Sequence, residues 1–173
     1  MRYHNITKDD MLNGEGLRVV LWVAGCTHHC KNCHNPITWD IAGGIEFDKA
    51  AEDELFFELN HSHIDGITFS GGDPLHPLNR EEVSRLIKKV RKELPDKTVW
   101  LYTGYSFDEI KDFDALPLID VLIDGEFIEE LKDGRLHWVG SSNQNIIDVK
   151  KTLEAGEIVL YEKNDHLALS LET

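Results

Sequence analysis

The sequence predicts an α/β protein with a mainly parallel sheet, and three observations support this class. Short apolar runs rich in β-branched residues alternate at least three times with segments of helical periodicity. Clusters of glycine and aspartate follow the apolar runs, as is typical of loops at strand ends. The chain has 173 residues, whereas a complete eight-stranded βα barrel needs about 250. We therefore expect one domain with an open wound sheet or a partial barrel.

Four segments are predicted to be strands. Each has five or six residues, is rich in Val, Ile, Leu or aromatic side chains, and is followed by turn-forming residues. They are RVVLWV (18–23), GITFS (66–70), TVWLY (98–102) and IDVLI (119–123).

Helices are predicted between these strands from their capping residues and apolar spacing. Asp48 is the expected N-cap of the first helix, whose buried face carries Ala51, Leu55, Phe56 and Leu59. Asn79 and Glu82 resemble a capping box for the second helix, whose apolar face carries Val83, Leu86, Ile87, Val90 and Leu94.

The rest of the chain is predicted to hold shorter elements, and the pattern weakens beyond Gly140. Ser106 and Glu109 resemble a second capping box, which predicts a short helix through Phe113. One helical turn is expected after the segment DGEF (124–127). Near the C-terminus, residues 157–171 suggest a β-hairpin that turns at Asn164-Asp165.

Composition and charge limit the classes of function. The formal charge of −14 argues against general nucleic-acid binding, which needs clustered Lys and Arg. It favours solubility, and an acidic docking face for a basic partner is the alternative. No apolar run reaches the roughly 18 residues of a membrane helix, and the N-terminus lacks the apolar core of a signal peptide. We expect a cytoplasmic protein with reduced thiols, and therefore cysteines that serve a metal or catalytic site.

The three cysteines of the chain, Cys26, Cys30 and Cys33, lie within eight positions and form the pattern C-x3-C-x2-C. Soft thiolates select zinc, copper(I) or an iron–sulfur cluster. A structural zinc site needs a fourth ligand, which His28, His29 or His34 could provide, although exposed loop positions are the default for His28 and His29. A cubane cluster normally takes four thiolates. With three, one iron would lack a protein ligand and would be open to a substrate.

The clusters that follow the four predicted strands share a position in the fold. They are the cysteine loop, the segment GGDP (71–74), the segment TGY (103–105) and the segment DGE (124–126). Each cluster alone is compatible with an ordinary turn. Because ligands gather at the carboxyl ends of parallel strands, we expect the four clusters to form one site.

Six segments in order resemble one superfamily. They are NGEGLR (13–18), GCTHHCKNCHNPITWD (25–40), SGGDPLHP (70–77), YTGY (102–105), LIDGEF (122–127) and GSSNQNIID (140–148). Together they resemble the radical S-adenosylmethionine superfamily, and within it the activases that place a glycyl radical on anaerobic ribonucleoside-triphosphate reductase. The resemblance extends from about residue 3 to about residue 148.

The resemblance implies a fold, two cofactors and two partners. Cys26, Cys30 and Cys33 would hold a [4Fe–4S] cluster whose fourth iron binds S-adenosylmethionine, in a partial, open βα barrel of the radical S-adenosylmethionine type. Residues 1–148 would form the activase domain, and residues 149–173 an extension, a β-hairpin packed on the same domain. The partners would be the glycyl-radical subunit of the reductase and a low-potential electron donor of the flavodoxin type.

The resemblance also assigns residues to the cofactor. Gly71 and Gly72 would approach it with their backbone, and Asp73 would accept a hydrogen bond from the methionyl ammonium. The adenosyl moiety would be lined by Asn32, Cys33 and His34. Tyr105 and Asp124 are candidates for the ribose side, with core packing and helix capping as their alternatives.

Gly14, Gly16 and Arg18 would shape the entrance for the partner's glycine loop, and an ordinary turn before a strand is the alternative there.

Two departures from the superfamily pattern concern ligand contacts. Asn32 stands where many members have an aromatic residue, and Asp124-Gly125-Glu126 stands where larger activases have Asp-x-Lys. The counter-charge for the methionyl carboxylate is therefore open, with Lys31, His28 and Arg80 as candidates.

Two other functions stay open on the sequence alone: a small zinc-binding interaction module and an activase of a different glycyl-radical enzyme. A zinc module would not need the segments GGDP and IDGEF.

Overall fold

A computed structural model describes residues 1–162, and within them the strands form one seven-stranded sheet. The strands are β1 (Arg2–Asp10), β2 (Arg18–Val23), β3 (Ile45–Glu46), β4 (Gly66–Gly71), β5 (Thr98–Tyr102), β6 (Val121–Asp124) and β7 (Asn145–Asp148). Their order across the sheet is β3-β1-β2-β4-β5-β6-β7. The α-helices of this part are α1 (Lys49–Leu59), α2 (Arg80–Glu93) and α3 (Val149–Ala155).

The centre of the sheet consists of the four predicted strands. β2, β4, β5 and β6 lie side by side and are parallel, so the prediction of a mixed α/β protein with a mainly parallel sheet is confirmed. β6 is buried throughout, and the other three strands have at most two residues that are not buried, because helices or loops cover both faces. β6 begins two residues later than the sequence predicts.

The edges of the sheet are antiparallel and were not predicted. β1 pairs with β2 and β3, and β7 pairs with β6. The backbone beyond α3 also pairs with β7, since the Asp148 amide donates to the Val159 carbonyl over 2.9 Å and the Tyr161 amide donates to the Ile146 carbonyl over 2.8 Å. The turn of the predicted C-terminal hairpin, Asn164-Asp165, lies outside the described residues.

Two of the three capping interactions predicted from the sequence are present in the structure. The Asp48 carboxylate accepts a hydrogen bond from the Ala51 amide, so this residue caps α1 as predicted. The capping box of Ser106 and Glu109 is also present, although it opens a 3₁₀ turn over Phe107–Ile110 rather than a helix through Phe113. A 3₁₀ turn over Glu129–Leu131 follows β6, as expected.

The capping box predicted at Asn79 is wrong. Asn79 occupies the N-cap position of α2, but its side chain points into the protein and makes no cap hydrogen bond. The side-chain amide instead donates to the carbonyls of Ala24 and Asp73, over 2.9 and 3.2 Å. Asn79 therefore ties the start of α2 to the ends of two parallel strands.

The two faces of the sheet differ in chemistry. Mostly aliphatic side chains between the sheet and its helices form the main core, among them Leu21, Leu86 and Leu101, together with aromatic rings such as that of Phe69. The opposite face carries a smaller aromatic cluster in which Trp100 packs edge-on against Trp138 and Tyr161, with ring centroids 4.8 and 5.3 Å apart.

Arg18 is buried beside this aromatic cluster at the amino ends of the central strands. Its guanidinium donates to the Thr68 hydroxyl and the Ile67 carbonyl, each over 2.7 Å, and burial lowers its pKa to about 10. A Cβ on Gly14 would lie 2.6 Å from the Arg18 side chain. Arg18 was expected, with Gly14 and Gly16, to shape the entrance for the partner. The structure instead buries it at the end of the sheet opposite the cysteine loop.

Among residues 1–162, no helix combines the length and the apolar character needed to cross a bilayer.

Candidate metal and cofactor site

A cavity of about 450 Å³ lies at the carboxyl ends of the four parallel strands. Residues of the loops after β2, β4, β5 and β6 contribute to its walls, so the four clusters meet at one cavity. The contributing residues include Cys26, Cys30, Cys33 and His34 from the first loop, Gly71, Gly72 and Asp73 from the second, Thr103 and Gly104 from the third, and Glu126 and Phe127 from the fourth. The volume falls in the range of small-molecule and cofactor sites.

The three cysteines are free thiols, are half-buried and line this cavity. Burial raises the pKa of Cys26 and Cys30, while hydrogen bonds from the backbone amides of His28 and Phe127 to the two sulfurs oppose the shift. The Asn35 amide lies 3.4 Å from the Cys33 sulfur and donates to it. Three soft donors that face one cavity fit an iron–sulfur group.

A site for a single metal ion is not preassembled. Within the described part of the chain, no three His, Cys, Asp or Glu side chains are grouped closely enough to hold one metal ion. The histidines proposed as a fourth zinc ligand also have other contacts. The His29 ring packs on Trp39 and the His34 ring on Phe127, with centroids 4.8 and 5.6 Å apart.

The cysteine loop owes its path to local backbone geometry. The Gly25 amide donates to the Thr38 carbonyl and the Cys26 amide to the Trp39 carbonyl, over 2.7 and 3.1 Å. Between the second and third cysteines, a turn is closed by a 3.1 Å hydrogen bond from the Cys33 amide to the Cys30 carbonyl. Asn32 adopts a φ of +56° in this turn, which Asn tolerates better than most residues. It is exposed and does not line the cavity.

Gly71 and Gly72 are required by contacts within the protein. A Cβ on Gly71, whose φ is +108°, would lie 2.6 Å from the Val23 backbone, and one on Gly72 would lie 2.5 Å from the Gly25 carbonyl oxygen. The Asp73 amide donates to that same carbonyl over 2.7 Å. The two glycines therefore allow the loop after β4 to touch the base of the cysteine loop, and they present only backbone to the cavity.

The Asp73 carboxylate is engaged inside the protein. The residue is 1% exposed, and its oxygens accept hydrogen bonds from the Leu75 amide, the Thr103 hydroxyl, the Gly104 amide and a His28 ring nitrogen, at 2.8–2.9 Å. A hydrogen bond from the methionyl ammonium to Asp73, as the resemblance implies, would require an unoccupied carboxylate oxygen. In the structure, both oxygens already accept hydrogen bonds from groups of the protein.

His28 is not the exposed loop residue that the sequence suggests. Its side chain is 10% exposed, and its ring nitrogens lie 2.8 Å from an Asp73 oxygen and 2.7 Å from a Glu126 oxygen. The hydrogen bond to Asp73 raises the His28 pKa to about 9; burial opposes the shift and the hydrogen bond to Glu126 adds to it. His29 is exposed, as expected.

Tyr105 and Asp124 lie behind the wall of the cavity rather than in its lining. Asp124 is buried and accepts hydrogen bonds from the Phe107 amide and the Asn145 side chain, both over 2.9 Å. The first of these contacts caps the 3₁₀ turn, in agreement with the capping alternative. Tyr105 packs against the core, with the Arg80 guanidinium 5.4 Å from the centre of its ring.

The other candidate counter-charges are occupied outside the cavity. Lys31 pairs with Glu130 at 3.3 Å on the exposed surface. Arg80 donates to the Leu75 carbonyl over 2.8 Å. Of the three candidates only His28 lines the cavity, between two carboxylates.

A larger cavity of about 710 Å³ lies along α2, but its chemistry is different. It contains no cysteine, and its cations are already paired, Arg85 with Glu82 and Lys88 with Asp114. The thiol-lined cavity is therefore the site that we assign to function.

The parallel sheet and the three-thiol cavity fit the class of iron–sulfur proteins. In agreement, the family of 4Fe-4S single cluster domains matches residues 12–147. The chain belongs to this family and, within it, to the anaerobic ribonucleoside-triphosphate reductase-activating proteins.

Three relatives of that name illustrate the similarity. The protein of Escherichia coli strain K12 is 45% identical over 148 residues, which are 83% of this chain and 96% of the relative. The protein of Haemophilus influenzae is 46% identical over 150 residues, 84% of this chain and 97% of the relative. The protein of Enterobacteria phage T4 is 44% identical over 146 residues, 84% of this chain and 93% of the relative.

Proposed function

We propose that this protein activates an anaerobic ribonucleoside-triphosphate reductase by generating a glycyl radical on it. One observation carries the proposal: the only three cysteines of a chain in this family face one cavity, and the loops of four parallel strands build that cavity. Three thiolates leave one iron of a cubane without a protein ligand, and a cavity of about 450 Å³ lies within the size range of small-molecule and cofactor sites.

Cys26, Cys30 and Cys33 would hold the [4Fe–4S] cluster, and S-adenosylmethionine would bind beside it. A cluster held there would supply the electron that cleaves S-adenosylmethionine to methionine and a 5′-deoxyadenosyl radical, and this radical would take a hydrogen atom from a glycine of the reductase. A low-potential donor of the flavodoxin type would deliver that electron. The free thiols favour a reducing compartment, and we infer the cytoplasm.

The chain's own residues bind and orient the cofactor. We propose that the peptide groups of Gly71 and Gly72 lie against its methionyl part, since these glycines present backbone to the cavity. Cys33 and His34 would flank the adenosyl moiety, with the His34 ring held by Phe127. Asn32 would contribute by fixing the turn between the last two cysteines, because its own side chain faces solvent.

Three acidic or aromatic residues would act by shaping the walls. Asp73 would lock the loops after β4 and β5 together through Thr103 and Gly104. Asp124 would hold the loop after β6 through Asn145, and the Tyr105 carbonyl would accept its hydrogen bond from the Gly125 amide. A buried and rigid wall also excludes water from a radical, which limits side reactions.

We further propose that the sheet forms the partial, open barrel of the radical S-adenosylmethionine type. Residues 1–148 would be its activase domain and residues 149–173 an extension, of which the described part, residues 149–162, packs on the domain. The family match ends at residue 147, and Val149 and Tyr161 contact the same body through the core and the aromatic cluster.

The test is anaerobic reconstitution with iron and sulfide. The reduced protein should be brown, should convert S-adenosylmethionine to methionine and 5′-deoxyadenosine, and should produce a glycyl radical signal on the reductase in electron paramagnetic resonance. A colourless protein that retains stoichiometric zinc after anaerobic purification would overturn the cluster assignment. A signal on a different glycyl-radical enzyme, and none on the reductase, would overturn the choice of partner.

A further inference from the structure

We infer that His28 is a positioning residue that fixes the cysteine loop relative to the cofactor-binding ends of three neighbouring strands. The inference rests on the proposed function, because it assigns to His28 a role in presenting the open iron to S-adenosylmethionine.

The first argument is that His28 joins elements far apart in the sequence. It lies between Cys26 and Cys30, yet its ring nitrogens contact Asp73 after β4 and Glu126 after β6, at 2.8 and 2.7 Å. These partners are 45 and 98 residues away along the chain. One imidazole therefore connects the loop that carries the thiols to two other walls of the cavity.

The second argument is that the third wall is shaped around the same ring. A Cβ on Gly104, in the loop after β5, would lie 2.5 Å from His28 Cδ2. The His28 ring also meets Tyr105 edge-on, with centroids 4.6 Å apart. The space left by the missing side chain at Gly104 and the hydrogen bonds to the two carboxylates therefore hold the ring in this position.

The third argument concerns what this position controls. Asp73 also accepts hydrogen bonds from the Leu75 amide and the Thr103 hydroxyl, so its orientation is set by its own loop and by the loop after β5. His28 attaches the cysteine loop to this fixed point. Outer contacts that orient a metal-binding segment commonly change affinity or activity by about 10–100-fold when removed.

The test compares His28→Gln with His29→Asn, a control in the same loop. His29 is exposed, has a φ of +49° that Asn tolerates, and packs on Trp39 instead of the cavity walls. Both variants are reconstituted anaerobically. Iron and sulfide content are measured first, and then the dissociation constant of S-adenosylmethionine and the change that it causes in the electron paramagnetic resonance spectrum of the reduced cluster.

His28→Gln should load iron close to the wild-type level but bind S-adenosylmethionine at least about tenfold more weakly, with a smaller spectral change. His29→Asn should match the wild type in iron loading and in its affinity for S-adenosylmethionine. Wild-type affinity in the loaded fraction of His28→Gln would overturn the inference, because a merely structural histidine would lower loading without changing that affinity.

Gly104→Ala supplies an independent variant in case His28→Gln does not fold. Its φ is not in the left-handed region, so the substitution acts by displacing the His28 ring. It should weaken S-adenosylmethionine binding in the same direction, and wild-type binding would count against the inference. Failure of the wild type itself to load a cluster or to bind S-adenosylmethionine would instead refute the proposed function.

Discussion

At the scale of single residues, Gly72 is the point where the loop after β4 touches the base of the cysteine loop. Gly72→Ala would place a methyl group 2.5 Å from the Gly25 carbonyl oxygen and 2.8 Å from that of Thr38, and both are backbone atoms that cannot rotate away. We expect a loss of about 1–3 kcal/mol in the free energy of unfolding, as for overpacking, and lower iron loading because the thiols are displaced.

The matched control is Gly134→Ala, since a Cβ at Gly134 meets nothing within 4 Å. It should change the free energy of unfolding by less than about 0.5 kcal/mol. Urea denaturation and iron analysis of both variants check the prediction. Equal stability of the two variants would contradict the close contact at Gly72.

The ligand assignment makes a separate prediction for Cys30. Cys30→Ala should abolish cluster assembly but keep the fold, because the residue lies on a half-exposed loop and contributes little to the core. Lys31→Ala is the control, since Lys31 is exposed and its surface ion pair with Glu130 is worth little. Iron content and circular dichroism check the pair. A normal iron content in Cys30→Ala would refute the assignment.

Residue roles were predictable where they depended on local pattern. The cap at Asp48 and the grouping of the three thiols on one loop follow from residue type and spacing alone. The roles of Gly71 and Gly72 towards the cofactor come from the family resemblance and stay proposals. The role of His28 does not follow from the sequence, because it depends on carboxylates 45 and 98 residues away, which only the folded sheet brings together. Phe127 and Thr103 could have been found by extending the strand-end argument to every residue in the clusters.

At the scale of elements, α1 and α2 are joined by a buried carboxylate. Glu52 on α1 is 8% exposed and accepts hydrogen bonds from Arg85 and Lys89 on α2. The hydrogen bond from Arg85 is the largest cause that lowers the Glu52 pKa to about 2 from its ordinary 4.5. Because the folded-state pKa is lowered, the stabilisation is present above about pH 4.5 and is lost as the pH falls towards 2.

Glu52→Gln should therefore cost the most stability near neutral pH, on the order of 2 kcal/mol after allowance for the exposure of Arg85. The difference from the wild type should shrink towards zero between pH 5 and pH 2. Urea denaturation across this range measures it. Glu54→Gln, an exposed position on the same helix, is the control and should give a small difference. A Glu52→Gln difference that is constant with pH would contradict the role of the carboxylate.

Strands such as β2 and β4 were predictable because a strand that is buried on both faces has a continuous run of apolar residues in the sequence. β1 was missed because the run RYHNITKDD has mixed burial and its register shifts twice against β2, so the alternation of a half-buried strand is lost. β7 has four residues and α3 has seven, too few for a periodic signal.

At the scale of the whole molecule, the two ends of the sheet have different roles. The amino ends are closed by Arg18, Trp100 and their neighbours, whereas the carboxyl ends hold the cavity. Large apolar side chains are exposed close to the cavity lining. Met11 is 71% exposed next to Leu12, and Ile37 is 73% exposed two residues after Asn35. A glycine loop of the reductase that reaches the cavity would cover this surface.

Met11→Asp and Ile37→Asp should therefore separate reductase activation from cofactor cleavage. Burial of a side chain of this size is worth about 1.5–3 kcal/mol, so each variant should lower glycyl radical formation about tenfold or more at subsaturating reductase. Reductive cleavage of S-adenosylmethionine without reductase should stay at the wild-type rate, because neither side chain lines the cavity. Phe57→Asp is the control, since Phe57 is 67% exposed near the far end of α1, beside His61. Electron paramagnetic resonance and product analysis measure the two activities. An equal loss of radical in the Phe57 variant would show that the effect follows from added charge and would contradict the assignment of this surface to the reductase.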